Sequence, residues 1–505
     1  MKNYVLSLDA GTTSSRAILF DQKGNQIAMA QQEFKQIFPK KGWVEHNPNE
    51  IWETQVNSVK KVLSEADISP EQVDSIGITN QRETTIIWDR ATGIPVFNAI
   101  VWQDRRTAKI CEGIVLHGKS DIFTQKTGLV VDAYFSATKI KWILDQDPAL
   151  RDRANDGELA FGTVDSWLIW NLTGGATHVT DATNASRTMI YNIHEHQWDQ
   201  ELLDLLEIPN TLLPNVTNSS EIVGNTDPSI LGTSIRIAGI AGDQHAALFG
   251  QLCLQPGDVK NTYGTGCFCI MNTGKQAVIS KNNMLTTIAW QINNEVTYAI
   301  EGSVFTAGAL VQWLRDQLQM ITTSDDIEAL AESVSDNGGV TFIPALAGLG
   351  APYWDPHATG SIMGITRGTN KGHIARAALE AIALRSMDII IEMQKDAGID
   401  FKSVKVDGGA SNNNLLMQIQ ADFINANVIR PKVTETTAMG AAFLAGLATG
   451  FWSSVDVLKD LWGEEEKTEK LRELMKEALE LRYDLQTIEN EQSSLFDQTA
   501  ESRAK

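Results

Sequence analysis

The segment Val5-Leu6-Ser7-Leu8-Asp9-Ala10-Gly11-Thr12-Thr13-Ser14-Ser15-Arg16-Ala17-Ile18-Leu19-Phe20-Asp21 decides how the rest of the chain is read. Strand alternation runs into a tight Gly/Thr/Ser turn and leaves along a second strand. A Gly24-Asn25 turn then leads to a third strand from Gln26 to Met29. Further along, Asp258-Val259-Lys260-Asn261-Thr262-Tyr263-Gly264-Thr265-Gly266-Cys267-Phe268-Cys269-Ile270-Met271 repeats the pattern of strand, Gly/Thr turn and strand. Two such hairpins about half a chain apart predict two related α/β domains. The break falls near Leu254-Gln255-Pro256-Gly257, giving residues 1–252 and 253–505. The chain's 505 residues agree, since single cores stop growing near ~250–300 residues.

Composition narrows the function. Lysine and arginine total 42 against 63 acidic residues, a net charge of −21. Such a surface repels nucleic-acid backbones and anionic lipid headgroups, so a phosphate-bearing ligand must be small and held in a locally arranged pocket. The four cysteines, Cys111, Cys253, Cys267 and Cys269, make neither a disulfide framework nor a zinc-spaced cluster. The apolar run at the start is too short for a signal peptide. Residues 436–455 carry no charge, but Thr, Ser and Gly make them weakly apolar. That points to a buried helix, not a membrane span, and to a cytoplasmic protein. Val73–Ile78 and Ile237–Ile240 read as buried strands. Glu50–Ala66, Ala375–Asp396 and a charged tail from Glu464 to Asn490 read as helices.

Several turns are built for chemistry. Gly113-Ile-Val-Leu-His-Gly118-Lys119-Ser120 matches the P-loop letters, but a polar helical stretch precedes it where a buried strand is required. A helix closing at Gly118 accounts for the same residues. The Asp9–Arg16 turn is the better phosphate cradle. Gly11 lets successive N–H groups converge on an anion, Thr12, Thr13 and Ser14 add hydroxyls, and Arg16 adds charge. Asp9, at the strand end, is placed to hold magnesium through water. Ile237-Ala238-Gly239-Ile240-Ala241-Gly242-Asp243-Gln244-His245 brings a carboxylate to the end of a strand, where open α/β sheets put reacting groups. Asp243 is there either a base for a substrate hydroxyl or a helix cap. His245 reads as a packed side chain. Adjacent Arg82 and Glu83 offer a donor fork beside an acceptor, which suits a vicinal diol, though a surface ion pair has the same letters. The Asp407-Gly408-Gly409 turn opens a helix against which a nucleotide could lie, though an ordinary capped helix has the same letters.

Together with Ile100-Val-Trp-Gln-Asp-Arg-Arg106, Phe161-Gly-Thr-Val-Asp-Ser-Trp167, Gly348-Leu-Gly-Ala-Pro-Tyr-Trp-Asp355 and Tyr134-Phe-Ser-Ala-Thr-Lys-Ile-Lys-Trp142, these motifs resemble the FGGY family of carbohydrate kinases. Within it they resemble the members that phosphorylate glycerol, nearly collinearly from about residue 4 to about residue 455. The resemblance implies two ribonuclease-H-like domains of the actin-like ATPase fold, each a mixed β-sheet flanked by helices, around a cleft. It implies transfer of the γ-phosphate of Mg·ATP to glycerol by a homodimer or homotetramer. Carried over by motif, Arg82, Glu83, Tyr134, Asp243 and Gln244 would hold the hydroxyls, with Trp102 and Phe268 as walls. Asp243 would be the general base and, with Asp9, a magnesium ligand. Thr12, Thr13, Ser14, Arg16, Thr265, Gly308 and Gln312 would meet the phosphates, and Gly409 and Asn413 the nucleoside. An ionised base is expected to depend on nearby donors more than on a raised pKa. The stretch Glu221–Ser234 has neither the regulatory histidine of some members nor the strongly glycine-rich, arginine-bearing inhibitor loop of others. Two rivals stay open: a kinase for another polyol or a ketose, and an actin- or chaperone-like ATPase switch.

Overall fold

Strand β1 (Tyr4–Ala10) is buried along nearly its whole length, so both of its faces are covered. It pairs antiparallel with β2 (Ser14–Asp21), which pairs with β3 (Gln26–Glu33). Helix α1 (Pro48–Glu65), capped by Asn47, packs on β2 and β3. Strand β4 (Val73–Asn80) lies parallel to β1. After helices α2 (Ala108–Leu116) and α3 (Ser136–Leu144) come β5 (Ser220–Asn225) and β6 (Arg236–Gly242). The first sheet is ordered β5-β6-β4-β1-β2-β3, and helix α4 (Asp243–Gly250) leaves its edge. The computed structural model describes residues 2–355 and 357–469.

The second half repeats the scheme. Strands β7 (Val259–Tyr263), β8 (Cys267–Gly274), β9 (Leu285–Ile292) and β10 (Glu295–Val304) form an antiparallel set. Helices α5 (Gly308–Asp316) and α6 (Lys371–Ala397) follow. Strand β11 (Ser403–Asp407) adds parallel to β7. Beyond helix α7 (Asn414–Ile424), β12 (Asn427–Pro431) adds parallel to β11. Helix α8 (Thr436–Thr449) and β13 (Glu464–Thr468) complete the set, in sheet order β9-β10-β8-β7-β11-β12-β13. Each sheet thus has antiparallel strands on one side of a central strand and, on the other, two parallel strands closed by an antiparallel edge strand. This is the two-domain α/β fold that the paired hairpins predict.

The uncharged stretch at 436–449 is a helix with a buried core, and it packs on β1, β4 and β6 of the first sheet. Among the described residues no helix is long and apolar enough to cross a membrane. Helices α4 and α8 cross at backbone contact. A Cβ on Gly440 would stand 1.8 Å from the Ala246 carbonyl oxygen, and one on Gly250 2.1 Å from that of Thr436. Around this crossing, Val5, Phe20, Phe249, Ile270, Trp290 and Phe443 share one apolar cluster drawn from both sheets.

Two expectations meet the structure differently. Gly118 follows α2 with φ +67°, and its N–H donates to the Val115 carbonyl, so the P-loop letters lie at a helix end. The tail read as one helix from Glu464 instead begins as β13, antiparallel to β12. Sheet-edge pairing overrides the helical propensity of a Glu/Lys run there. The remainder of that tail, 470–490, lies outside the described residues.

Gly440→Ala is expected to destabilise the protein by about 1–3 kcal/mol or more, because backbone and not a flexible side chain must yield. Gly113→Ala, whose Cβ meets nothing within 4 Å, should be neutral or stabilising by up to about 1 kcal/mol. Denaturant unfolding of the two variants checks the contrast.

Candidate active site

Register places the site. Ala10 lies opposite Asn80 and Asn80 opposite Gly242, so β1, β4 and β6 end in one row. From that row emerge the Gly11–Thr13 turn, the Gln81-Arg82-Glu83 segment and Asp243.

The Gly11 N–H donates to the Ser14 carbonyl at 3.0 Å, which makes the turn tight. Two glutamines hold it from behind: Gln36 donates to the Thr12 carbonyl and Gln81 to that of Gly11, both at 3.0 Å. Buried His46 lies between them, 2.7 Å from Gln36 Oε1 and 3.4 Å from Gln81 Nε2. Burial pushes its pKa down to about 4, which keeps the ring neutral. Thr13 is exposed and Thr12 half-buried, while Ser14 accepts from Gln31 at 2.9 Å. Arg16 bridges Asp9 and Glu435, the latter at 2.6 Å.

Across the opening stand three rings, with Trp102 5.6 Å from Tyr134 and 6.2 Å from Phe268 between centroids. The Trp102 indole N–H donates to the Thr12 hydroxyl at 3.0 Å, tying the aromatic wall to the hairpin. Tyr134 is positioned from below. The fully buried Lys139 ammonium on α3 donates to the carbonyls of Ala133, Tyr134 and Phe135 at 2.5, 2.7 and 3.1 Å.

Arg82 and Glu83 are not a surface pair: they are 3% and 1% exposed. Arg82 Nη1 and Nη2 grip both oxygens of Glu301, and Nε lies 3.1 Å from Asp243 Oδ1. Glu83 has φ +62° and accepts from Arg187 Nε at 2.7 Å. Its left-handed backbone costs about 1–3 kcal/mol, and Ser136 Oγ, donating to its carbonyl at 2.9 Å, helps hold it. Asp243 is the first residue of α4 and its Oδ1 accepts from the Gln244 N–H at 2.7 Å; the cap position is Gly242, so the reading of Asp243 as a helix cap does not hold. Its side chain is 29% exposed. Burial nevertheless pushes its pKa up to about 6, against the pull of Arg82 and with the help of Glu83. Desolvation thus outweighs the donors on this carboxyl, contrary to the expectation from sequence. Gln244 accepts from the buried Lys260 ammonium, and His245 is a packed ring 3.1 Å from the Thr287 hydroxyl.

The second sheet brings its own turns to the cleft. The carbonyls of Gly264 and Thr265 accept from the N–H groups of Gly308 and Ala309, both at 3.0 Å, which staples that turn to the start of α5. Gln312 is exposed one helical turn further on. Gly408, with φ +85°, lies so close to the end of β7 that a Cβ would come 2.5 Å from the Tyr263 carbonyl oxygen. Gly409 beside it is open to solvent, while Asn413 caps α7 through the Leu416 N–H at 2.7 Å.

Residues 4–250 match the N-terminal domain of the FGGY family of carbohydrate kinases, and residues 259–449 match its C-terminal domain. The chain belongs to this family. Among its relatives is a Deinococcus radiodurans glycerol kinase, 60% identical over 92% of this chain and 93% of that protein. Glycerol kinase 2 of Thermotoga maritima is 60% identical over 91% and 92%. The crystal structure of Plasmodium falciparum glycerol kinase with ADP superposes with a TM-score of 0.90 at 34% identity, covering 97% of this chain and 98% of that one. A Lactobacillus acidophilus xylulose kinase at 22% identity, TM-score 0.88, shares the fold over 96% of this chain and 98% of its own.

Sequence reading of this kinase missed Arg187, Glu301, Lys260, Lys139 and His46, all of them buried. Single charged residues inside otherwise apolar or hydroxyl-rich stretches, such as Tyr298-Ala-Ile-Glu301-Gly-Ser-Val304, were the available signal.

Lys139→Met removes the donor of three buried carbonyls, so about 3–5 kcal/mol of stability should be lost. Unfolding midpoints check the loss, and a weaker acceptor KM in the surviving fraction checks that the Tyr134 segment has moved.

Proposed function

We propose that the protein transfers the γ-phosphoryl group of ATP to the primary hydroxyl of glycerol, with Asp243 as general base. Asp243 carries this reading: a partly exposed carboxylate just past a strand end, paired with Arg82, on the same sheet end as Glu83 and near a wall of three rings. The kinship to glycerol kinases along most of the chain supports the same substrates. A wall made of Trp102, Tyr134 and Phe268 favours a short triol over a sugar, since rings leave little room beyond three carbons.

In this reading Arg82 and Glu83 hold two hydroxyls of glycerol, Gln244 and Tyr134 orient it, and Trp102 and Phe268 flank its carbons. Burial raises the Tyr134 pKa far above that of an ordinary phenol, so its hydroxyl stays a donor. The Gly11–Ser14 turn, Arg16 and the Thr265–Gly308–Gln312 set meet the phosphates, and Gly409 and Asn413 border the nucleoside. Asp243 takes the proton of the attacking hydroxyl as its oxygen bonds to the γ-phosphorus. The bond from phosphorus to the β–γ bridging oxygen breaks, and ADP leaves with that oxygen.

The residues fit a magnesium ion. Asp9 and Asp243 supply hard carboxylate oxygens at the same sheet edge, and no cluster of three metal-binding side chains occurs among the described residues. Such a donor set matches a cation held by one or two carboxylates, water and substrate phosphates. When bound, it would neutralise charge developing on the transferred group. We also read the enzyme as a cytoplasmic homodimer or homotetramer, which light scattering of the purified protein tests.

ADP release should depend on glycerol, with glycerol preferred over dihydroxyacetone, xylulose and gluconate. Glycerol-independent turnover would establish the ATPase switch instead, and faster turnover of xylulose or gluconate a different kinase. Asp243→Asn should lower kcat by about 10²–10⁴-fold with ATP binding retained, the usual range for losing a general base. Because the base works deprotonated and its pKa is raised, kcat/KM for glycerol should fall below an acid limb near pH 6. A limb left near pH 4, the ordinary aspartate range, would contradict the role.

A further inference from the structure

Glu301 lies on β10 of the second sheet, within a strand stretch that is otherwise apolar or small, and is fully buried. It is shared by two guanidinium groups of the first half. Arg82 Nη1 and Nη2 take its two oxygens, the second at 3.0 Å, and Arg187 Nη2 donates to Oε1 at 3.1 Å. Arg187 in turn donates through Nε to Glu83. Four side chains therefore form a continuous chain of charge, Arg82–Glu301–Arg187–Glu83, all 3% exposed or less.

The geometry explains why Arg82 presents its Nε edge to Asp243: the opposite edge is locked in a two-point grip. Glu83 likewise has Oε1 committed to Arg187, so its side chain is aimed. Burial of so many charges is costly unless each is partnered, which makes a purely stabilising role a poor explanation. The Arg187 guanidinium carbon also lies 5.6 Å from the Tyr134 ring centre and 5.4 Å from that of Phe135, so the network borders the aromatic wall.

We propose that Glu301, acting through Arg82 and Arg187, is the positioning residue for the acceptor diol, so that the second half of the chain fixes the substrate-binding groups of the first. The inference rests on the reading of Arg82 and Glu83 as diol-binding residues. It deepens that reading by naming what holds them.

The test compares Glu301→Gln, Glu301→Asp and Arg82→Lys in the full-length enzyme, by steady-state kinetics with thermal unfolding alongside. Glu301→Gln is expected to raise the glycerol KM about tenfold or more, the scale of a lost charged hydrogen bond. Its ATP KM should stay within about threefold. Glu301→Asp keeps the charge, so it should weaken glycerol binding by a smaller factor. If Glu301→Gln does not fold, the Asp variant decides alone, and an unchanged glycerol KM in it overturns the proposal. So does a Glu301→Gln enzyme whose glycerol and ATP KM values rise equally. Should Arg82→Lys leave the glycerol KM unchanged, the diol-binding reading itself falls. If Arg82→Lys raises it and Glu301→Gln does not, only the positioning role fails.

Discussion

The crossing of α4 and α8 governs how the two sheets can sit. Ala246 and Gly440 meet with no room for a side chain, and so do Thr436 and Gly250. Gly77 and Gly239, on β4 and β6, let the α8 backbone lie directly on the first sheet, where a Cβ would stand 2.1 and 2.5 Å from backbone atoms. Backbone-to-backbone contact has no rotamers to adjust, so the angle between the halves is set by the main chain. Two residues of the candidate site adjoin this joint. Asp243 is the first residue of α4, and Glu435, which holds Arg16, immediately precedes α8.

A second constraint follows from burial of charge. Arg82, Arg187, Glu83 and Glu301 are withdrawn from water beside an aromatic wall, and Asp243 pairs with Arg82. Isolated, each would be prohibitive; arranged in alternation they are tolerable, and their positions become mutually determined. The one member left partly accessible is Asp243. A carboxylate is thus set at the accessible end of a rigid polar assembly, where desolvation raises its proton affinity, as the proposed role of a base requires.

The hairpins, the buried strands, the α8 segment and the turn residues could be read from sequence because each is written in local periodicity and turn chemistry. Gly11, Gly264 and Gly408 announce themselves by their neighbours. Glu301 does not, because its meaning comes from Arg82, 219 positions away, and Arg187, 114 positions away. Nothing local distinguishes a strand glutamate that faces two guanidinium groups from one that faces solvent. Glu464–Thr468 failed for the converse reason: its composition favours a helix, while the free edge of β12 offers a ladder. His46 and Gln81 were invisible because their work is done through carbonyls of other residues' backbones.

The pairing of cations also bears on how a chain of net charge −21 can accommodate a triphosphate. Arg16 is shared by Asp9 and Glu435, Arg82 by Glu301 and Asp243, and Arg187 by Glu83 and Glu301. Each guanidinium at the site is already matched by carboxylate, so these side chains bring little uncompensated positive charge. On the proposed reading, attraction comes from groups that carry no acidic partner: N–H groups of the Gly11 and Gly264 turns, the hydroxyls beside them, and a cation arriving with the nucleotide. Such a site discriminates by geometry and not by bulk charge. That is consistent with a cleft that has to release a doubly charged product and a nucleoside diphosphate after every turnover.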